Sequence, residues 1–262
     1  MSNGNPAEEG NAEPATSLAG TEAAACVGVG TTDDGSGLDE PDEYDELLAS
    51  LGRTEDEDLR ISIHEGGHTT AARLLGREVG GVTVNPDPVR GYEGLCWGVG
   101  HTEAFAEGRG DASDVRNVLG PVMPQAGKDR SAVSDIYGSV YAQCIELMAG
   151  RAAERMLLDE EPAPPADDLR QARELALLIC FSEEAIETFI AYCDIAARDL
   201  LLPYGAVIMT LQLVLRIKRV LTGSEIDNVI ADVLAREALA AERVRRKRWD
   251  GVIENAARLV AE

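Results

Sequence analysis

Two histidines four residues apart, with a glutamate directly after the first, can hold one metal ion and supply a base beside it. The stretch His64-Glu65-Gly66-Gly67-His68 has this arrangement. On a helix, residues four apart share a face, so both imidazoles reach the same ion while Glu65 lies next to them. Zinc is the expected metal, because it accepts neutral imidazole nitrogen and carboxylate oxygen in a tetrahedral site and has no redox chemistry to control. The metal acidifies water at its open position. Glu65 is then placed to remove the proton as the water attacks an amide carbon, and to return it to the leaving nitrogen. The plain alternative is a pair of helix-surface histidines without a ligand, although the motif uses two of only three histidines in the chain. Spacing does not fix the third ligand: His101, Glu93, Glu154, Asp167 and Asp168 all remain open.

The elements that must position these residues follow from pattern and punctuation. A short helix is expected over 42–51 and a longer one from Thr54, where Thr54-Glu55-Asp56-Glu57 fits a capping box. Leu59, Ile63, Ala71, Leu74 and Leu75 recur at helical spacing until Gly76, which puts the histidines mid-helix. Gly66 and Gly67 each cost about 1 kcal/mol there relative to Ala, so another backbone or the site itself must approach closely. Residues 79–84 and 94–101 read as two short strands joined by a turn at Asn85-Pro86-Asp87-Pro88. Trp97 on the latter strand suits core packing better than a side-chain pocket. Residues 103–134 lose periodicity and read as a long loop containing a short helix. Helices are expected over 137–158, 168–181, 183–202, 206–220 and 224–234, followed by a final basic helix through Val260. Its Arg243–Arg248 cluster reads as a solvated face.

Composition bounds the rest. The 262 residues are 45% apolar but only 4% aromatic, which favours helix over sheet. Of the net charge of −23, residues 1–58 contribute sixteen acids against the single cation Arg53. Residues 1–41 have no apolar period and read as a disordered acidic tail before a domain at 42–262. This balance argues against nucleic acid and against an anionic membrane surface as partners. Five cysteines without CxxC spacing read as reduced, mostly buried thiols. With no signal-peptide pattern and no uninterrupted membrane span, a cytoplasmic location is expected.

These segments, in this order, resemble the peptidase domain of FtsH-type AAA proteases. The resemblance rests on His64-Glu65-Gly66-Gly67-His68, Val82-Thr83-Val84-Asn85-Pro86, Ala149-Gly150-Arg151-Ala152-Ala153-Glu154, Asp168-Leu169-Arg170-Gln171-Ala172 and Leu221-Thr222-Gly223-Ser224-Glu225-Ile226-Asp227. It implies that His64, His68 and Asp168 bind zinc, that Glu65 is the catalytic base and that Glu154 supports the site. Asp167 stands beside Asp168, Gly66 replaces a common Ala, and Pro162–Pro165 replaces a Thr-Gly-rich approach. The family's ATPase module is missing, since no G-x-x-x-x-G-K-[ST] loop occurs.

The expectation is therefore a mainly helical α+β, zincin-like domain with a two-to-three-stranded sheet. It would act as a zinc-dependent endopeptidase on flexible or unfolded polypeptides, alone, as a homo-oligomer or with a separate unfoldase. The rivals are a catalytically idle adaptor and a repressor-cleaving zincin.

Overall fold

Capping chemistry sets where the first two helices begin. The computed structural model describes residues 42–99, 112–158 and 161–261. The expected tail over 1–41, His101 and the first part of the expected loop, 103–111, lie outside the described residues. Asp42 caps α1 (Glu43–Leu51), and its carboxylate accepts from the Tyr44 and Asp45 amides. Thr54 and Glu57 form a reciprocal capping box at the start of α2 (Glu55–Leu74). Gly76, at φ 74°, then turns the chain out of the helix.

The three described strands form an antiparallel sheet in the order β2-β1-β3. Strand β1 (Val79–Thr83) pairs with β2 (Leu95–Gly98), with a bulge between Val79 and Gly81, and with β3 (Val220–Thr222) on its other side. Among the described residues strand β2 is an edge, and it lines the cleft described below. The β1–β2 connection extends past Pro88: an isolated bridge joins Asp87 to Tyr92, and Gly91 takes φ 79°.

Beyond the sheet the chain is helical: α3 (Ala112–Leu119), α4 (Ser134–Leu157), α5 (Ala166–Ala176), α6 (Glu183–Leu201), α7 (Gly205–Lys218) and α8 (Gly223–Ala261). Several boundaries depart from expectation, among them the start of α4 at Ser134 rather than 137 and the end of α7 at Lys218 rather than 220, just before β3. Helix α5 starts two residues earlier than Asp168, because Pro165 can occupy the cap without losing a needed amide. It ends at Ala176, where the Leu178 and Ile179 amides bond to carbonyls three residues back and tighten the backbone. The two helices expected at the end of the chain are the single helix α8. Residues 183–218 are apolar and long enough, by composition, to cross a membrane. Each helix of that run nevertheless turns a face inward: Ile186, Cys193 and Leu201 on α6, and Val207, Leu211 and Leu215 on α7.

Helix α2 runs through the centre, with 12 of its 20 residues buried. Ile63 and Ala71 join one core cluster with α4, α5 and α6, while Ile61 and Ala72 join another with the sheet, α7 and the root of α8. Two of its three buried hydroxyls are satisfied locally, Thr69 donating to the Glu65 carbonyl and Thr70 to the Gly66 carbonyl, both at 2.7 Å, while that of Ser62 has no partner among the described residues. The start of α2 is tied down by Asp58, which is fully buried. Arg219 grips it with two hydrogen bonds of 2.6 and 2.7 Å, and Tyr44 donates a third at 2.9 Å. Burial pushes the Asp58 carboxyl up, but these partners outweigh it and hold its pKa below the ordinary value.

Candidate metal centre

The three groups meet at one point. His64 Nε2 lies 2.9 Å from His68 Nε2. Asp168 Oδ2 lies 3.2 Å from the first and 3.5 Å from the second. Bonds of about 2.0–2.1 Å to a tetrahedral ion correspond to donor separations of about 3.3 Å, so the triangle has the right size for one ion.

The outer nitrogen of each ring fixes its tautomer. His68 Nδ1 lies 2.7 Å from the Glu146 carbonyl, which can only accept, so the proton is on Nδ1 and the lone pair on Nε2. His64 Nδ1 faces Glu154 Oε1 at 2.5 Å, an arrangement with the same consequence when that carboxylate is ionised. Two imidazole lone pairs and a carboxylate oxygen then converge, and such a set needs a cation among its members. Burial disfavours the His64 imidazolium, but the hydrogen bonds to Asp168 and Glu154 outweigh it and raise its pKa to about 10. Burial also pushes up Asp168, yet the facing His68 and His64 hold that carboxyl well below the usual range. His64, His68 and Asp168 can thus hold a metal ion.

Glycines make the room. A methyl group on Gly150 of α4 would lie 2.6 Å from His64 Nε2 and equally close to His68 Nε2, where the donors converge. One on Gly67 would meet the Ala149 carbonyl at 2.5 Å and Ala153 Cβ at 2.7 Å, so the backbone of α2 lies directly against α4 near the histidines. Gly66 is less constrained, with its nearest neighbour, Ile208 Cγ2, at 3.4 Å.

Glu65 is 6% exposed and lies under strand β2. It accepts from the Cys96 backbone amide, and a methyl group at Gly94 would lie 2.7 Å from its Oε1. Burial raises its pKa, opposed by His68 and His64. A carboxylate held this way is more basic than an exposed one.

The remaining candidates separate cleanly. Asp167 points away and pairs with Arg170 and Gln171, each at 2.7 Å. Glu93 sits on the rim with its carboxylate 3.2 Å from Arg60. Glu154 is buried and also faces Arg60, at 3.8 Å. His101 lies outside the described residues. Trp97 is half-buried, with its ring over Gly80 and Gly81, and it also lines the cleft. Sequence reasoning missed Gly150 and Gly94 as parts of the site. Gly150 left a signal, being a glycine in a long Ala-rich helix, whereas Gly94 has the sequence character of an ordinary strand boundary.

The cleft over these groups has a volume of about 1270 Å3. Strand β2 forms one wall, and Val115, Val118 and Leu119 of α3 with Leu147 of α4 form an apolar wall. Arg77 and Glu146, paired at 2.9 Å, close the end beyond His68.

The sequence matches no protein-family model and no curated protein.

Proposed function

We propose that this chain is a zinc-dependent endopeptidase acting on flexible or unfolded polypeptides. The observation that carries the proposal is the convergence of His64 Nε2, His68 Nε2 and Asp168 Oδ2 in a cleft where the buried Glu65 lies beside the histidines. Two neutral imidazoles and one carboxylate suit zinc better than harder or redox-active metals. When bound, zinc supplies a Lewis acid that polarises a carbonyl and acidifies water.

The chain's own groups do the rest. Glu65, its basicity raised by burial, takes the proton of the attacking water and delivers it to the departing amide nitrogen. The Glu146 carbonyl and Glu154 hold the two imidazoles in the tautomer that leaves Nε2 free to ligate. Strand β2, an edge among the described residues, has a backbone to which an extended peptide would add as a further strand near Glu65. Such pairing needs a substrate without competing secondary structure, which favours flexible chains. Folded substrates would call for a separate unfoldase. The ordered resemblance to FtsH-type peptidase domains supports the same reading.

Glu65→Gln tests it. Zinc content should match that of the unaltered chain, while cleavage of casein falls by about 10²–10⁴-fold. Equal cleavage by both proteins would refute the assignment.

A further inference from the structure

Helix α7 is apolar on both of its sides. The inner face packs Val207, Ile208, Leu211 and Leu215 into the body of the protein. On the outer face Ala206, Met209, Leu213 and Ile217 are exposed, the last three by 44%, 52% and 75%. They recur at spacings of three, four and four residues, the seam that a second helix fills with interlocking side chains. The exposed Leu202 and Val220 continue the apolar surface beyond the two ends of the helix. No charged side chain occurs in residues 200–215. A helix that is apolar all round belongs in an interior, yet this side of α7 is open to solvent among the described residues.

Pattern and charge decide what covers it. Residues 1–41 of the same chain carry eight acids, no cation and no apolar period, and gain nothing from an uncharged stripe. A bilayer is a poor host: α7, with 14 residues, is about 21 Å long against a hydrocarbon core of about 30 Å. Arg198 and Asp199 interrupt the apolar run before it, and the net charge of −23 is repelled by anionic headgroups. A second copy fits. Laid antiparallel about a two-fold axis between Met209 and Leu213, two α7 helices set Met209 against Leu213 and Ala206 against Ile217, so the smallest side chain of the seam meets the most exposed one. Arg216 and Lys218 then lie at opposite ends of the pair. A parallel pair would instead set Lys218 against Lys218 and align the two helix dipoles. Covering the stripe from Leu202 to Val220 on both copies removes about 1,000 Å2 of apolar surface from water, the size at which a specific interface begins.

We infer that α7 is the interface of a two-fold homodimer in which the helix packs antiparallel on its copy. None of the residues lining the cleft belongs to α7, so the inference is independent of the metal centre.

The test is sedimentation equilibrium of the full chain at micromolar concentrations, where a dimer is expected. Leu213→Glu and Met209→Lys should each raise the dissociation constant by about 100-fold. Helix content should be unchanged, because both positions are exposed in the single chain. Mixing the two variants should restore the dimer, since the antiparallel mixed pair sets the introduced lysine beside the introduced glutamate and keeps one native contact between Met209 and Leu213. A monomeric unaltered chain, which would leave the face to a different protein, would overturn the proposal. So would an oligomer indifferent to Leu213→Glu, a mixture that stays monomeric, or a monomer that binds phosphatidylcholine vesicles and loses that binding with Leu213→Glu.

Discussion

His64 and His68 face each other nitrogen to nitrogen at 2.9 Å, a separation their lone pairs tolerate only with a cation beside them. What admits that cation is the missing side chain of Gly150, whose ideal Cβ position falls 2.6 Å from both Nε2 atoms. Gly150→Ala should therefore reduce zinc affinity by about 10–100-fold or more, the range seen when groups that orient ligands are disturbed. Gly138→Ala, in the same helix but with nothing within 4 Å of the added methyl, should leave affinity unchanged. Competition with a chromogenic chelator would measure both. Residue types and spacing made His64, Glu65 and His68 legible in the sequence. The partners that fix their tautomers were less so, because a backbone carbonyl such as that of Glu146 has no sequence signature. Asp168 was separable from Asp167 only through the resemblance. In three dimensions the distinction is which side of the first turn of α5 each occupies, and Asp167 is turned toward Arg170 and Gln171.

At the scale of the element, α2 has to be slim where it crosses α4. An alanine at Gly67 would drive a methyl group to 2.7 Å from Ala153 Cβ and 2.5 Å from a carbonyl oxygen. Gly67→Ala should destabilise the protein by about 1–3 kcal/mol or more through overpacking. Gly66→Ala meets its first neighbour at 3.4 Å and should be neutral, or stabilising by up to about 1 kcal/mol from improved helix propensity. Urea unfolding of the two variants would show the contrast. The two glycines are equivalent in sequence, and only the approach of α4 tells them apart. Capped elements such as α1 and α2 were readable because Asp42, Thr54 and Glu57 announce their starts. Strand β3 was not: three residues following a helix carry no period, and the strand exists because β1 offers it an edge. The join that makes α8 continuous was equally illegible, since among the described residues its outer half packs against nothing that would impose a pattern.

At the scale of the whole molecule, one buried carboxylate ties early and late segments of the chain together. Asp58 on α2 binds Tyr44 from α1 and Arg219, which follows α7 in a left-handed conformation with φ 65°. Arg219 also reaches the Val84 carbonyl at 3.1 Å, so the sheet is held by the same group. Removing the negative charge leaves a buried guanidinium without its partner, and Asp58→Asn should cost about 3–5 kcal/mol in chemical unfolding. The sign with pH follows from the lowered pKa. The contribution of Asp58 is complete above the ordinary carboxylate value of about 3.9 and is lost as pH falls through the depressed folded value. Thermal unfolding of the unaltered protein should thus lose stability below about pH 4, and Asp58→Asn should lose less. This network was invisible in the sequence, because Asp58 reads as one more acid in the first turn of a helix and its cation lies 161 positions away.

The central claim is that His64, His68 and Asp168 together hold a single metal ion, and zinc stoichiometry measures it most directly. Elemental analysis after dialysis should find one zinc per chain in the unaltered protein and in Asp167→Asn, and a loss of affinity of about tenfold or more in Asp168→Asn. No zinc in the unaltered chain, or equal loss from the two aspartate variants, would contradict it.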